Sequence, residues 1–306
     1  METRRLGTSD LEVSIAGLGC NNFGMRIDRE RSIQVVNAAL DAGITLFDTA
    51  RSYGDGRSEE FLGVALKRTR DRVVLATKFG ARSEGSGGAT RRAMIRSLEA
   101  SLSVLDTDYI DLLQLHFPDP DTPLEETLHA LDELIRSGKV RYAGCSNFGG
   151  WMIADAHWLA ATQQIAGFVS TQNEWSLLQR DVEVEVAKAA AHFGMSILPY
   201  YPLASGLLTG KMRSATPPKE SRLSSKAFGA VITEQNLTRV ERLRSYAEGS
   251  GWSLTRLTLS WLASQPVVGS VIAGATSEAQ VRENAASTLT DLTPEHIRQI
   301  GDLVEG

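Results

Sequence analysis

The sequence predicts a (β/α)8 TIM barrel: one α/β domain over residues 1–306, with an N-terminal β-hairpin cap and an extra C-terminal helix. Three observations predict it. Eight short apolar runs alternate with amphipathic helical stretches in one series, the pattern of parallel strands joined by crossover helices. No Pro/Ser-rich linker divides that series. The first residues after the apolar runs are polar and chemically able, as an active-site rim at the carboxyl ends of barrel strands requires. A doubly wound open sheet shares the alternation. It would normally carry a phosphate-binding glycine fingerprint after its first strand, and Gly17-Leu18-Gly19-Cys20-Asn21-Asn22 lacks the third glycine of G-x-G-x-x-G.

Residues 4–14 read as a hairpin, with Leu6, Leu11 and Val13 flanking the turn Gly7-Thr8-Ser9-Asp10. Ile15-Ala16-Gly17-Leu18 is the first barrel strand, and a polar loop over 19–28 follows. Asp28 caps a helix whose Ile33, Val36 and Leu40 share a face and which stops at Gly43. Leu46-Phe47 leads to a helix over 58–67, and the run 73–77 to one over 90–105 with Ile95, Leu98, Leu102 and Leu105 on one face. The run 109–115 precedes a helix announced by the capping box Thr122-Pro123-Leu124-Glu125, which carries Leu128, Leu131 and Ile135 and ends at Gly138. Runs over 140–145 and 168–171 open two more units. Residues 182–186 alternate like a strand, yet the alanines beyond them and the stop at Gly194 favour a helix. Runs over 196–199 and 269–273 supply the last two strands, with helices near 234–248 and 253–265 between them. A last helix is expected over 293–303, with Pro294 in its first turn and Ile297, Ile300 and Leu303 on one face. Two loops, 80–89 and 204–231, exceed the usual length and read as lids or binding loops.

At 306 residues, 42% hydrophobic and 23% charged, the chain can bury a substantial core. It has no apolar run of membrane-spanning length and no signal-like start, so a cytoplasmic protein without a membrane partner is expected. A net charge of -5 argues against nucleic acid as the main partner. Cys20 and Cys145 lie far apart without a CxxC spacing, so they are expected to be small buried residues, with neither a disulfide nor a metal site.

The polar residues that follow successive strand-like runs are Asp48, Lys78, His116, Ser146 with Asn147, Gln172, Tyr200 and then Gly274. In Phe47-Asp48-Thr49-Ala50-Arg51-Ser52-Tyr53-Gly54 an acid closes an apolar run and a tyrosine stands five residues later. A carboxylate at the tip of a buried strand needs a cation, and Lys78 is the candidate. A tyrosine hydroxyl titrates near about 10 in water, and a neighbouring ammonium is expected to lower that value. Tyr53 then serves as general acid to a carbonyl oxygen that a neutral His116 orients. No serine or cysteine nucleophile accompanies His116, and lysine and tyrosine are uncommon metal ligands. Hydride transfer to a carbonyl needs this kind of acid and takes its hydride from a cofactor. The other histidines, His129, His157, His192 and His296, fall within predicted helices and are read as structural or surface residues.

With these residues in hand, the chain resembles the aldo-keto reductases over essentially its full length. The matching motifs are Phe47-Asp48-Thr49-Ala50 with Tyr53-Gly54, Thr77-Lys78, Leu115-His116, Gly144-Cys145-Ser146-Asn147-Phe148, Gln172-Asn173-Glu174 and Tyr200-Tyr201-Pro202-Leu203-Ala204-Ser205-Gly206. Within the family it looks most like the bacterial branch related to general stress and inositol-cluster oxidoreductases and to the potassium-channel β subunits. The resemblance implies an oxidoreductase that uses NADP(H), with NAD(H) as the alternative, to reduce a small-molecule aldehyde or ketone. It implies that Tyr53 is the acid, that Lys78 and Asp48 tune it, and that His116 orients the substrate.

The resemblance further implies that Ser146, Asn147 and Gln172 hold a nicotinamide carboxamide while Tyr200 stacks on the ring. Leu203, Ser205, Gly206 and Lys211, assisted by Arg222, resemble a pyrophosphate strap. The segment 272–284 resembles the adenosine-binding end, with Gly274, Thr276, Gln280, Glu283 and Asn284 as its residues. Gly274 and Gln280 stand where some relatives carry lysine and arginine for a 2′-phosphate, so Lys211, Arg222 or Arg282 would have to supply that charge. Asn21, Asn22, Phe23, Phe79, Phe117, Trp175 and Tyr201 are the candidate walls of the substrate pocket. Two other functions stay open. One is a nucleotide-sensing regulatory subunit of the same fold with little turnover, and the other is a phosphate-binding isomerase barrel, for which Gly269 and Gly274 are weak support.

Overall fold

Thr3–Arg5 (β1) pairs antiparallel with Glu12–Ser14 (β2), forming the expected hairpin. Its Leu6, Leu11 and Val13 pack on Leu46, Val74, Ala76, Leu112, Leu198 and Ile272, so the hairpin closes one mouth of the barrel with apolar side chains. The computed structural model describes residues 1–81, 88–212, 216, 222–224 and 229–305. The middle parts of the two long loops, expected to be lids or binding loops, lie outside the described residues.

The barrel strands are Ala16–Gly19 (β3), Leu46–Asp48 (β4), Val74–Phe79 (β5), Ile110–Leu115 (β6), Val140–Ser146 (β7), Phe168–Gln172 (β8), Ser196–Ile197 (β9) and Val271–Gly274 (β10). They pair in parallel in the order β10-β3-β4-β5-β6-β7-β8-β9. The remaining seam is bridged by Ile197 N to Val267 O (2.8 Å), Gly269 N to Ile197 O (2.9 Å) and Ile272 N to Pro199 O (3.0 Å), which closes the barrel.

Successive residues on a strand face opposite sides, and this period of two builds the site. Leu46, Val74, Ala76 and Leu112 belong to the interior cluster, whereas Phe47, Leu75, Phe79 and Leu113 belong to the larger cluster beneath the helices. The next interior positions are Asp48, Lys78 and Gln114, so the lining changes from apolar to polar toward the carboxyl ends. Those polar residues hydrogen-bond one another. Strand pairing therefore continues past the end of the apolar runs: Lys78, Ser146 and Gln172 lie within strands rather than after them.

Around the barrel run Arg29–Asp41 (α1), Arg57–Leu66 (α2), Arg91–Leu105 (α3), Leu124–Arg136 (α4), Gly150–Gln163 (α5), Val186–His192 (α6), Glu234–Gly249 (α7), Leu254–Ala263 (α8), Glu278–Ser287 (α9) and Pro294–Glu305 (α10). Asp28 caps α1 through Arg31 N (2.9 Å), and Thr90 caps α3 through Ala93 N (3.4 Å). The capping box expected at 122–125 does not form. Pro123 is the N-cap of α4, and the Thr122 hydroxyl donates instead to Asp119 Oδ2 at 2.8 Å. The ambiguous stretch resolves as a short turn, Asp181–Glu183, followed by α6, so helix wins over strand there.

Candidate active site

Asp48 and Lys78 reach the barrel interior from adjacent strands, at 3% and 2% exposure. Lys78 Nζ donates to Asp48 Oδ2 (2.7 Å), Thr49 O (2.9 Å) and the Tyr53 hydroxyl (3.4 Å). An ammonium has three protons, and each has an acceptor here. Asp48 Oδ1 accepts from Gln114 Nε2 (3.1 Å) and Gln172 Nε2 (2.9 Å), and Gln172 Nε2 also reaches Gln114 Oε1 (3.2 Å). A carboxylate only accepts, so the amide nitrogens must face it. The buried ion pair is thus fully hydrogen-bonded, the condition under which burying it is tolerable.

Tyr53 arrives on a tight turn, Tyr53–Gly56, in which Gly54 (φ 59°), Asp55 (φ 56°) and Gly56 (φ 86°) are all left-handed. Glycine is required at 54, where a Cβ would come within 2.8 Å of Phe23 O. Arg57 Nε donates to Gly54 O (2.8 Å) and fixes the turn from behind. Burial raises the Tyr53 pKa, Lys78 opposes this and Asp48 adds to it, with a net upward shift. The expected lowering by Lys78 is therefore outweighed by desolvation, and the phenol keeps its proton at neutral pH. Burial alone would lower the Lys78 pKa, but the Asp48 carboxylate and Tyr53 carry it above the ordinary value.

The His116 ring stands edge-on to Tyr53 (centroids 5.9 Å) and stacks on Phe117 (4.7 Å). Burial, then the Lys78 charge, pushes its pKa down to about 3, so the imidazole is neutral. Its Nδ1 is buried without a hydrogen-bond partner. Next to it, Asn147 (φ 62°) donates from Nδ2 to His116 O (3.0 Å) and Ser146 Oγ (3.0 Å), and its Oδ1 accepts from the Tyr200 hydroxyl (2.8 Å). Ser146 Oγ donates to Gln172 O (2.8 Å).

A cavity of about 630 Å³ opens on these groups. Asp48, Tyr53 and His116 line it, while Lys78 acts from beneath through Asp48 and Tyr53. Ser146, Asn147, Gln172 and Tyr200, at or just past the carboxyl ends of β7 to β9, are on its wall, as are Leu203, Ser205, Gly206 and Lys211 from the loop expected to strap a pyrophosphate. Gly274 at the end of β10, and Thr276, Gln280, Glu283 and Asn284 beyond it, complete the wall. Within the strap Ala204, Ser205 and Gly206 adopt positive φ, backbone of a kind that forms concave anion-binding nests. Thr276 donates from N and Oγ1 to Gln280 Oε1 (2.8 and 3.1 Å), and Asn284 Nδ2 donates to Gly274 O (3.4 Å).

The expected substrate walls divide. Asn21, Asn22, Phe117 and Tyr201 line the cavity, and buried Asn22 Oδ1 has no hydrogen-bond partner. Phe23, Phe79 and Trp175 do not line it. They are buried at 0%, 1% and 2% exposure in the layer between sheet and helices. Phe79 follows the inward Lys78 on β5 and so must face outward. Trp175 Nε1 donates to Glu183 Oε1 (3.0 Å) and its ring stands edge-on to Trp261 (6.2 Å). Arg282 is also elsewhere, ion-paired with Glu278 (3.1 Å) along α9.

Gln114 and Arg26 were missed in the sequence. A glutamine in the inward-facing set Ile110, Leu112 and Gln114, whose other members are apolar, was the available signal for Gln114. Arg26 lines the cavity from the loop after β3, and no motif marked it. Among the described residues no group of three or more His, Cys, Asp or Glu could hold a metal ion. No helix among them is long and apolar enough to cross a membrane.

A barrel with a buried carboxylate–ammonium pair beneath a tyrosine, facing a cleft lined by polar and apolar side chains, has the architecture of an oxidoreductase. The aldo/keto reductase family model matches residues 16–305, and the chain belongs to that family. It is 34% identical over 318 aligned positions to a probable voltage-gated potassium channel subunit beta of Oryza sativa subsp. japonica, covering 100% of this chain and 97% of that protein. It is 33% identical to an uncharacterised oxidoreductase of Bacillus subtilis, over 100% of this chain and 97% of that protein. It is also 31% identical to versiconal hemiacetal acetate reductase of Aspergillus parasiticus, over 98% of this chain and 96% of that protein.

Proposed function

We propose that this protein is an NADP(H)-dependent reductase of aldehydes or ketones, one domain over residues 1–306, in which Tyr53 protonates the carbonyl oxygen. The observation that carries the reading is the convergence of the Tyr53 hydroxyl, backed by Lys78 at 3.4 Å, and the neutral His116 ring on one cavity. The family's nicotinamide dinucleotide fits the donors and acceptors present: Ser146, Asn147 and Gln172 suit a carboxamide, the strap with Lys211 suits phosphates, and the unsatisfied Asn22 Oδ1 suits a donor group. When bound, the dinucleotide supplies the hydride.

The chain's own residues handle the proton. The Tyr53 oxygen accepts from Lys78, which leaves the phenolic proton to be donated to the carbonyl oxygen. As that proton leaves, the Lys78 ammonium stabilises the phenolate, and Asp48 keeps the ammonium in place. Neutral His116 offers a ring N–H to the same oxygen and fixes its direction. Lys211 and Arg222 on the cavity wall support NADP(H), with NAD(H) as the alternative. Free, buried Cys20 and Cys145 suit a reducing, cytoplasmic compartment.

A second reading is favoured by the relatives named as channel β subunits. The same barrel would then act as a nucleotide-sensing subunit with slow turnover. The test is to titrate NADPH and NADH against intrinsic fluorescence and then follow NADPH oxidation with a panel of aldehydes. Binding with turnover supports the reductase, binding with negligible turnover supports the sensor, and binding of neither nucleotide rules out both.

A further inference from the structure

Arg244 puts a charge on the buried face of α7, at 6% exposure among Val240, Leu243 and Ala247. An arginine is seldom buried unless its protons are taken up. Here all three nitrogens have acceptors: Nε donates to Glu241 Oε2 (3.1 Å), Nη1 to Gly210 O (3.1 Å) and Nη2 to Met212 O (3.0 Å). The Glu241 side chain is 68% exposed, and an ion pair open to water on one side contributes little. The other two bonds use what distinguishes a guanidinium from any apolar side chain that could fill the same space. Its planar fork grips two carbonyls that flank a single residue, Lys211.

Lys211 is on the wall of the cavity that Tyr53 and His116 line, whereas Arg244 is not. The chain passes from surface to core at this point, with Lys211 exposed and Met212 buried. Gly210 (φ 73°) lies against α7 and α8, where a Cβ would stand 3.7 Å from both Arg244 Nη1 and Leu254 Cβ. On the other side, Lys211 N donates to Thr209 Oγ1 (3.4 Å), and that hydroxyl donates to Gly206 O (2.7 Å). A lysine side chain gives up much rotamer freedom when it holds an anion, so a backbone fixed beforehand lowers the cost of binding. We propose that Arg244 is a positioning residue for dinucleotide binding, which by holding the carbonyls of Gly210 and Met212 keeps the Lys211 ammonium where it meets the phosphates. The proposal rests on the reading of the cavity as a nicotinamide dinucleotide site and extends it to a side chain on α7 that acts through the strap.

The test is a double-mutant cycle on the full chain, with Lys211→Ala, Arg244→Met and the double variant, reading the NADPH Kd by fluorescence titration. Each single change is expected to weaken binding about tenfold, the worth of a charge-assisted hydrogen bond, and the double variant to bind no more weakly than Lys211→Ala alone. Salt raised from about 50 to about 500 mM should weaken binding more steeply in the parent than in either single variant, because the ammonium–phosphate contact is what salt screens. Arg244→Lys keeps a donor and should bind NADPH between the parent and Arg244→Met. It carries the cycle in place of Arg244→Met if that variant does not fold. Losses that add in the double variant, or a parental salt dependence in Arg244→Met, would overturn the proposal, since Arg244 would then act by a route other than Lys211. Parental NADPH affinity in a folded Arg244→Met would overturn it too and leave the dinucleotide reading intact. No NADPH binding by the parent would remove that reading and the proposal with it.

Discussion

Lys78 Nζ lies 2.7 Å from Asp48 Oδ2, and both side chains are buried. Replacing one partner leaves the other charge buried and uncompensated, at a cost of about 3–5 kcal/mol. Lys78→Met is therefore expected to destabilise the fold by that amount, and Asp48→Asn/Lys78→Met, which removes both charges, to recover part of it. Urea denaturation measures both. A single variant as stable as the parent would mean that the pair is not carried as an ion pair.

His116 gives the fold an acid limb. Its pKa in the folded protein is about 3, against about 6.5 in an unfolded chain. Between those values the unfolded state binds the extra proton, so stability rises with pH across the window and is lost as pH falls toward 3. One such group contributes a slope of at most about 1.4 kcal/mol per pH unit. Unfolding free energies measured from pH 7 down to about pH 4 should show a steeper decline in the parent than in His116→Gln. Parallel curves would contradict a buried neutral imidazole.

Tyr53 sets the alkaline limb of catalysis. Reduction uses the protonated phenol, whose pKa burial raises. The kcat/KM for carbonyl reduction should stay level through neutral pH and decline only beyond the ordinary tyrosine value of about 10. An ionisation of the free enzyme near neutrality would point to a different proton donor.

Trp175 separates packing from the site. Truncation to alanine removes a buried indole and its hydrogen bond to Glu183, at a cost of about 3–5 kcal/mol. Preference among carbonyl substrates should not change, because the ring does not line the cavity. A changed preference in a stable Trp175→Phe variant would place it back at the substrate.

The barrel was legible because its physics is local. A helix cap such as Asp28, and stops such as Gly43 and Gly138, are read within one turn of chain. Thr122 shows the limit: its hydroxyl went to Asp119, a partner outside the capping pattern. The polar residues after each run could be named in order, since strand-end position alone brings them to one mouth. Which aromatic residues face that mouth could not, because Phe79 and Trp175 are placed by strand alternation and packing that composition does not reveal. Direction of the Tyr53 shift was hidden for a related reason. A lysine and a tyrosine in sequence say nothing about how deeply both are buried, and burial decides the sign. Gln114 shares its strand with a second polar residue, Asp111, which faces the other way. Only the barrel brings Gln114 from β6 to Asp48 on β4.

The most direct test of the account is Tyr53→Phe, assayed for NADPH binding by fluorescence titration and for aldehyde reduction on the same preparation. Losing only the hydroxyl, the variant should keep its nucleotide affinity and lose about 10²–10⁴-fold in kcat, the usual worth of a positioned general acid. Turnover close to that of the parent, or nucleotide binding lost in step with turnover, would contradict the assignment of Tyr53 as the proton donor.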